Sequence, residues 1–102
     1  WRGCAVTGYR NPQMLLASHI KPWRDSNNEE RLDKFNGLLL LANIDKAFDL
    51  GFISFDDGGK VMISKDLESP EVLGLDESMS FNIMREHKHY LGYHRGVLFK
   101  GL

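Results

Sequence analysis

The sequence contains a single cysteine, Cys4, among its 102 residues. One thiol cannot form a disulfide within the chain, and it cannot supply the paired cysteines of a zinc knuckle. The scarcity of cysteine therefore excludes a fold held together by disulfides or by cysteine-bound zinc. It also favours a reducing, intracellular setting.

Long apolar runs are missing as well. The longest, Leu38 to Ala42, is far shorter than the roughly 20 residues that a membrane-spanning helix needs. No signal peptide is visible, and the chain begins with Trp1 instead of Met, so we expect it to be a piece of a longer protein. The sequence predicts a protein that does not enter a membrane.

The chain has no excess of positive charge. It carries 13 lysine and arginine residues against 14 aspartate and glutamate residues, for a formal net charge of −1. A domain that holds DNA by charge alone is usually basic, because neutralised phosphates supply most of the non-specific affinity. Contact with nucleic acid must therefore come from local groups of cations or from a partner domain. Two such groups are Lys21 and Arg24 around Trp23, and the segment Arg85 to Arg95.

Length and composition predict one small domain over residues 1–102, with 42% hydrophobic residues available for its core. Met14 to His19 is a short apolar run that fits a buried strand, although a run of this length does not exclude a helix. Pro22 interrupts regular structure after it, because proline lacks a backbone N–H. Four consecutive leucines in Gly37 to Ala42 predict a second strand with cover on both faces.

Between the two strands the sequence is polar, and residues 28–35 allow a helical turn there. A helix is expected after the second strand, over Ile44 to Leu50. Asn43 fits its N-cap, and Gly51 follows its end. A strand, a loop, a strand and a helix are therefore expected in that order.

The clearest local signal is a β-hairpin over residues 52–64, where two β-rich segments flank Asp56-Asp57-Gly58-Gly59. Residues 80–92 fit a further helix, because apolar side chains recur along one side of it. Val97 to Phe99 fits a short last strand. Together these elements predict an α+β domain.

The residues that suggest a chemistry lie between His19 and Asp49. Asp45 and Asp49 are four residues apart, so on a helix they share one face and can converge on one cation. Carboxylates favour hard ions such as Mg²⁺ or Mn²⁺. A histidine beside such a metal is well placed as a general base, because neutral imidazole accepts a proton near pH 7. Phosphodiester cleavage needs both parts, one to activate water and one to stabilise negative charge.

The sequence resembles the HNH endonucleases, in particular the branch found in bacterial restriction-type and phage-associated proteins. The resembling segments follow one another along nearly the whole chain: Cys4-Ala5-Val6-Thr7-Gly8, Ala17-Ser18-His19-Ile20-Lys21-Pro22-Trp23-Arg24, Arg31-Leu32-Asp33, Asn36-Gly37-Leu38-Leu39-Leu40, Asp45-Lys46-Ala47-Phe48-Asp49, Gly51-Phe52-Ile53-Ser54-Phe55 and Tyr93-His94-Arg95. The resemblance implies a ββα-metal (HNH) core over residues 15–50 with an added β-hairpin and a C-terminal helix. It also implies hydrolysis of DNA with one divalent metal ion, Mg²⁺ or Mn²⁺, leaving a 5′-phosphate and a 3′-hydroxyl.

The resemblance also implies roles for individual residues. His19 matches the general base that activates water, and Asn36 matches the asparagine that braces the loop carrying that histidine. Asp45 matches the third motif position, which binds the metal, and Asp49 matches a position that is a ligand in some members. Three cations are candidates for contact with the DNA backbone: Lys21, Arg24 and Arg95.

The sequence departs from the family pattern in two places. Ser18 stands where many members have an aspartate or histidine ligand directly before the catalytic histidine. This departure predicts a metal held by fewer protein groups and more water. The paired Cys-x-x-Cys motifs of a structural zinc are absent, which affects only how the fold is braced.

Each candidate also has a purely structural interpretation. His19 fits a hydrogen-bonded histidine at a strand end, Asn36 a turn residue, and Asp45 a charge favoured by the helix dipole. Asp49 lies towards the helix end, where negative charge is unfavourable, so it fits either a ligand or a salt-bridged residue. The candidate cations fit solvated side chains. Surface or packing roles fit the remaining histidines, His87, His89 and His94.

The competing hypothesis is a non-catalytic nucleic-acid or protein interaction module on a degenerate HNH scaffold. Ser18 and the lack of net positive charge favour it, whereas the intact set of His19, Asn36 and Asp45 opposes it. For the enzyme we expect DNA as the partner, no membrane, a homodimer as an option for double-strand cleavage, and a targeting domain beyond this sequence. The resemblance implies a cytoplasmic location for a bacterial or phage-encoded protein.

Overall fold

The fold consists of short helices and two antiparallel strand pairs, in a computed structural model that describes residues 2–101. Trp1, on which the expectation of a longer protein rests, lies outside the described residues. The strands are β1 (Leu15–His19), β2 (Gly37–Leu41), β3 (Ile53–Phe55) and β4 (Val61–Ile63), and the helices are α1 (Asn28–Leu32), α2 (Ala42–Asp49) and α3 (Lys88–Val97). The predicted α+β class is therefore confirmed. None of the helices described is long and apolar enough to span a bilayer.

The first strand pair and α2 form the predicted ββα unit. β1 and β2 are antiparallel, and their register places Leu15 opposite Leu41 and His19 opposite Gly37. The chain passes from Leu41 straight into α2. The end of β1 is connected to the start of β2 through a 17-residue loop, residues 20–36, which contains α1.

The leucine run of β2 is covered less fully than expected. Leu38 and Leu40 are buried, whereas Leu39 and Leu41 are only partly so. Successive side chains of a strand point to opposite faces, and this two-stranded ribbon packs one face more tightly than the other. Both faces of β2 are therefore covered, one more fully than the other, and the predicted strand is confirmed.

α2 begins earlier than the sequence indicates. Its first residue is Ala42, Leu41 occupies the N-cap position, and no side chain caps the helix. Asn43 lies within the first turn, where its side-chain amide donates to the Leu73 carbonyl. The predicted capping role of Asn43 is therefore wrong, because a contact distant in sequence takes up its amide.

Gly51 follows α2 as predicted, and it permits a close approach of the C-terminal segment. Its φ is 80°, in the left-handed region that favours glycine. A Cβ at this position would lie only 1.9 Å from the carbonyl oxygen of Leu98. The end of α2 is thus packed directly against the end of α3.

The predicted hairpin is confirmed, and the elements after it are corrected. β3 and β4 pair with Ile53 opposite Ile63. The predicted α-helix over 80–92 begins only at Lys88, after a 3-10 turn at Arg85–His87. Further upstream the Phe81 backbone N–H donates to the Gly59 carbonyl, which holds that segment against the hairpin. The predicted strand over 97–99 is wrong. Val97 is the last residue of α3, and the amides of the next two residues donate to the His94 carbonyl.

The core lies where the ribbon, α2, the hairpin and α3 meet. Its fully buried apolar side chains come from all four parts: Ile20, Leu38, Leu40, Ile44, Phe48, Ile53, Phe55 and Leu91. Phe48 of α2 contacts the ring of Phe55 at a centroid distance of 5.7 Å. The hairpin therefore packs against α2 as well as the ribbon does.

Candidate active site

His19 is held at the end of β1 by one ring nitrogen. Its side chain is half-buried, and Nε2 lies 3.2 Å from the backbone carbonyl oxygen of Arg31. A carbonyl oxygen only accepts hydrogen bonds, so Nε2 carries the proton in the neutral ring. Nδ1 then has a free lone pair. This is the arrangement that a general base requires.

Asn36 joins the two ends of the loop that follows His19. It is completely buried. Its Oδ1 accepts a hydrogen bond from the Lys21 amide at 2.8 Å, and its Nδ2 donates to the Glu30 carbonyl at 3.1 Å. Longer contacts from Nδ2 reach the Lys21 carbonyl and the Ser26 hydroxyl, at 3.4 and 3.5 Å. These contacts give the loop between β1 and β2 a single shape.

The loop is also fastened to α3 by two tyrosines. The Tyr90 hydroxyl donates to Asp33 Oδ2 at 2.6 Å, and the Tyr93 hydroxyl donates to Asp25 Oδ2 at 3.0 Å. Burial and then the bond to Asp33 raise the pKa of Tyr90 to about 12. Tyr93 lies in one of the segments that resemble the family, whereas Tyr90 does not. The sequence did not predict either contact, because no local pattern links these tyrosines to partners 57 and 68 residues earlier.

Asp45 lies beside the residue that precedes His19. Its carboxylate is half-buried on α2 and lies near the Ser18 side chain. Burial, and then the neighbouring charge of Asp49, raise the pKa of Asp45, although the Ser18 hydroxyl acts in the opposite direction. Asp49 lies one turn after Asp45 on α2 and is exposed. The end of β1 thus lies next to the face of α2 that carries these two aspartates, which we call its acidic face.

The described residues fit a hydrated hard cation better than a zinc ion. In residues 2–101, no group of three or more histidine, cysteine, aspartate or glutamate side chains is placed to hold a metal. Ion pairs in the same part of the chain join Lys21 to Glu30, Arg24 to Asp25 and Arg95 to Asp57, so no lysine or arginine there is paired with Asp45 or Asp49. Mg²⁺ commonly binds through one or two carboxylates and retains several waters, whereas zinc sites use three or four protein ligands.

The three predicted DNA-binding cations differ in what they contact. Lys21 is paired with Glu30 at 2.9 Å and also lies 5.0 Å from the centre of the Tyr93 ring. Arg95 donates to the Phe55 carbonyl and to Asp57, both at 2.8 Å. The side chain of Arg24 is 76% exposed, with Asp25 at 3.9 Å. Arg24 is therefore the most accessible of the three.

His94 occupies the core behind α2. Its Nε2 lies 2.8 Å from the Phe48 carbonyl oxygen, and its Nδ1 lies 2.8 Å from the Ser54 hydroxyl. The ring also stacks on Phe48 at a centroid distance of 3.9 Å. Burial lowers the pKa of His94 to about 4, so the ring is neutral and Nε2 donates to the carbonyl. This packing role, and that of buried His87, agrees with the structural interpretation of these histidines.

The profile of the HNH endonuclease family matches residues 4–56. The match covers just over half of the 102 residues and extends from before β1 to the end of β3. The chain belongs to the HNH endonuclease family. The matched region of this HNH domain includes His19, Asn36, Asp45 and Asp49. Membership confirms the predicted family and the predicted enzyme class, an endonuclease. No curated protein matches the chain.

A solved structure, titled "Modification dependent TagI restriction endonuclease", is similar to this HNH domain. The TM-score is 0.62 at 21% sequence identity, and the similarity covers 95% of this chain. At this identity the likeness shows the fold, and it extends the agreement beyond the family match to the hairpin and α3. The HNH domain spans 33% of the length of that restriction endonuclease.

Proposed function

We propose that this HNH domain is a metal-dependent DNA endonuclease in which His19 is the general base. In this proposal Asp45, together with Asp49, holds one divalent cation, Mg²⁺ or Mn²⁺. The observation that carries the proposal is the packing of β1, which ends in His19, against α2, which carries Asp45 and Asp49. Ser18, the residue before His19, also lies close enough to Asp45 to influence its pKa, so a base and a cation site on these two elements would share one region of the surface.

His19 takes the proton of the attacking water at Nδ1. The Arg31 carbonyl fixes the ring by accepting from Nε2, so the tautomer with a free Nδ1 is favoured. Asn36 keeps the loop that provides this carbonyl in one conformation. Water oxygen bonds to phosphorus and the bond from phosphorus to the 3′-oxygen breaks. The departing 3′-oxygen takes a proton from solvent water, so the products carry a 5′-phosphate and a 3′-hydroxyl.

The acidic face of α2 supplies the ligands for the cation. A divalent ion bound there stabilises negative charge on the phosphate and on the departing oxygen. Asp45 and Asp49 contribute carboxylates that no described lysine or arginine neutralises by an ion pair. Because Ser18 stands in place of a further carboxylate or imidazole ligand, Asp45 and Asp49 would be the main protein groups that hold the ion.

DNA binding draws on few cations of this chain. Arg24 is accessible for a phosphate contact, whereas Lys21 and Arg95 must exchange their protein partners to make one. We therefore propose that a further domain supplies most of the targeting, as the one-third coverage of the TagI enzyme suggests. Modified DNA is one candidate target by the same likeness. Double-strand cleavage would need a homodimer or two visits, and we place the reaction in the cytoplasm of a bacterial or phage-infected cell.

Conversion of supercoiled plasmid tests the proposal. The native chain is expected to nick plasmid with Mg²⁺ or Mn²⁺ and to be inactive in EDTA. His19→Ala should lower the rate by about 10²- to 10⁴-fold, the usual contribution of a general base. His89→Ala is the matched control, because His89 is exposed and lies outside the site.

The possible results separate the two functional hypotheses. Cleavage by His19→Ala at the native rate would remove the assignment of the base. No cleavage by the native chain, together with no calorimetric binding of Mn²⁺ in the presence or absence of DNA, would support the non-catalytic interaction module instead.

A further inference from the structure

We propose that Trp23 and Arg31 form a nucleotide-binding platform beside His19. In this platform the Arg31 guanidinium binds a backbone phosphate, and the open face of the Trp23 indole stacks on a nucleobase. The inference rests on the proposed nuclease function and deepens it by naming how the substrate is held next to the base.

The platform is built by two contacts between its members. The Arg31 guanidinium carbon lies 3.6 Å from the centre of the Trp23 ring, and Arg31 Nε donates to the Trp23 carbonyl at 2.9 Å. The Arg31 side chain therefore covers one face of the indole and also binds the backbone of Trp23. Trp23 nevertheless remains 58% exposed, so the opposite face of its ring is open to solvent. A large aromatic ring held in order with one face open is suited to stacking.

Arg31 retains the capacity to bind an anion. It takes part in none of the ion pairs of residues 2–101, and its hydrogen bond to Trp23 uses only Nε. The planar fork of a guanidinium matches the oxygens of a phosphate. Arg24, directly after Trp23, adds a second, largely exposed cation. An aromatic face among cations fits a ligand that has both a flat base and a phosphate.

The platform is coupled to His19 through a single residue. The backbone carbonyl of Arg31 accepts the hydrogen bond from His19 Nε2, while the side chain of the same residue stacks on Trp23. A nucleotide bound by Trp23 and Arg31 therefore lies next to the phosphate that faces His19. We infer that the platform sets the position of the nucleic-acid strand relative to the general base.

Binding of a single-stranded oligonucleotide to the His19→Ala chain in Mg²⁺ tests the platform without cleavage. Anisotropy of a labelled oligonucleotide, over a series of salt concentrations, reports affinity and the number of phosphate contacts. Trp23→Ala should weaken binding by about five- to a hundredfold, the range for one lost base stack, with an unchanged salt slope. Arg31→Gln should reduce the slope of log K against log salt by about 0.7, the value for one phosphate of a single strand. Val72→Ala, at a position 79% exposed, is the control for loss of an exposed apolar side chain.

An oligonucleotide with abasic positions separates base stacking from other effects. It retains the phosphates and lacks bases, so Trp23→Ala should bind it as well as the parent does. Trp23→Phe should keep most of the affinity for the normal oligonucleotide, because it keeps an aromatic face. In a Trp1→Phe chain Trp23 is the sole tryptophan of the two in the sequence, and its fluorescence should be quenched by the normal oligonucleotide but not by the abasic one.

Three results would overturn the inference: undetectable binding by the parent chain, native-like binding by both variants, or equal losses on normal and abasic oligonucleotides. The last result would indicate a structural role for Trp23. Failure of the native chain to cleave plasmid, with the expected binding changes intact, would overturn the proposed nuclease function and leave the platform standing.

Discussion

Asn36 shows how much of this site depends on one side chain. A primary amide both donates and accepts, and Asn36, at the end of the loop, uses both abilities to contact Lys21 near its start and Glu30 in α1. Arg31, whose carbonyl orients His19, directly follows Glu30 in the chain. A buried side chain outside the reacting groups of the proposed mechanism can therefore determine how the His19 ring is oriented.

Replacing Asn36 tests this argument. Asn36→Ala leaves the Lys21 amide and the Glu30 carbonyl without their partner, and each unsatisfied buried group costs about 1–3 kcal/mol. We therefore expect the free energy of unfolding in urea to fall by at least that amount. Asn82→Ala, at an exposed asparagine, should leave it unchanged. A fully stable Asn36→Ala chain would show that other contacts hold the loop.

At the scale of elements, α2 serves the core and the site at once. Ile44, Ala47 and Phe48 pack inwards, while Asp45 and Asp49 form an acidic face along its other side. Burial and the charge of its neighbour raise the pKa of Asp45, so the ionised pair is unfavourable for folding. Such a pair is retained at the expense of stability, which is typical of residues kept for function.

Asp45→Asn should separate function from stability. We expect cleavage to fall by roughly a hundredfold or more, because metal ligation supplies several kcal/mol of charge stabilisation and each 1.36 kcal/mol is tenfold in rate. The melting temperature should stay equal or rise, because the substitution removes a partly buried charge. Asp66→Asn, at an exposed aspartate, should change neither quantity. Native cleavage by Asp45→Asn would remove this residue from the cation site.

The whole molecule supports the site through contacts made late in the chain. Tyr90 and Tyr93 of α3 hold the loop after His19, and His94 of the same helix binds the last turn of α2 through the Phe48 carbonyl. α3 therefore supports both halves of the site, although it lies outside the ββα unit and outside the family match.

The burial of His94 predicts a stability that falls in acid. Its folded pKa of about 4 lies below the ordinary value of 6.5, so between these values the unfolded chain binds more protons. Stability should therefore decline as the pH falls from 6.5 to about 4, by roughly 3 kcal/mol from this residue alone. The measurement is urea unfolding across that range.

His94→Gln serves as the control, because glutamine can still donate to the Phe48 carbonyl and does not titrate. This variant should be less stable at neutral pH and should lose less stability in acid. His87, whose pKa burial also lowers, contributes in the same direction in both chains, so the difference between them isolates His94. Identical pH slopes would contradict the assignment.

The sequence by itself determined the ββα unit and its hairpin. β1, β2 and α2 follow one another within 35 residues, Leu15 to Asp49, and each is signalled locally by an apolar run or by helical spacing of charges. The paired aspartates and glycines at 56–59 specify the hairpin turn in the same way. The resemblance predicts four site residues because each lies in a short recognisable segment: His19, Asn36, Asp45 and Asp49.

Only the tertiary structure decided which partners those segments meet. The bond from Ser54 to His94 joins residues 40 apart, and the bond from Tyr90 to Asp33 joins residues 57 apart. The start of α3 at Lys88, later than predicted, and the hydrogen bond from Asn43 to the Leu73 carbonyl also depend on contacts between distant segments. Local patterns report what each segment prefers alone. Contacts between distant segments depend on how the whole chain buries its apolar surface, and this burial is a property of the complete fold.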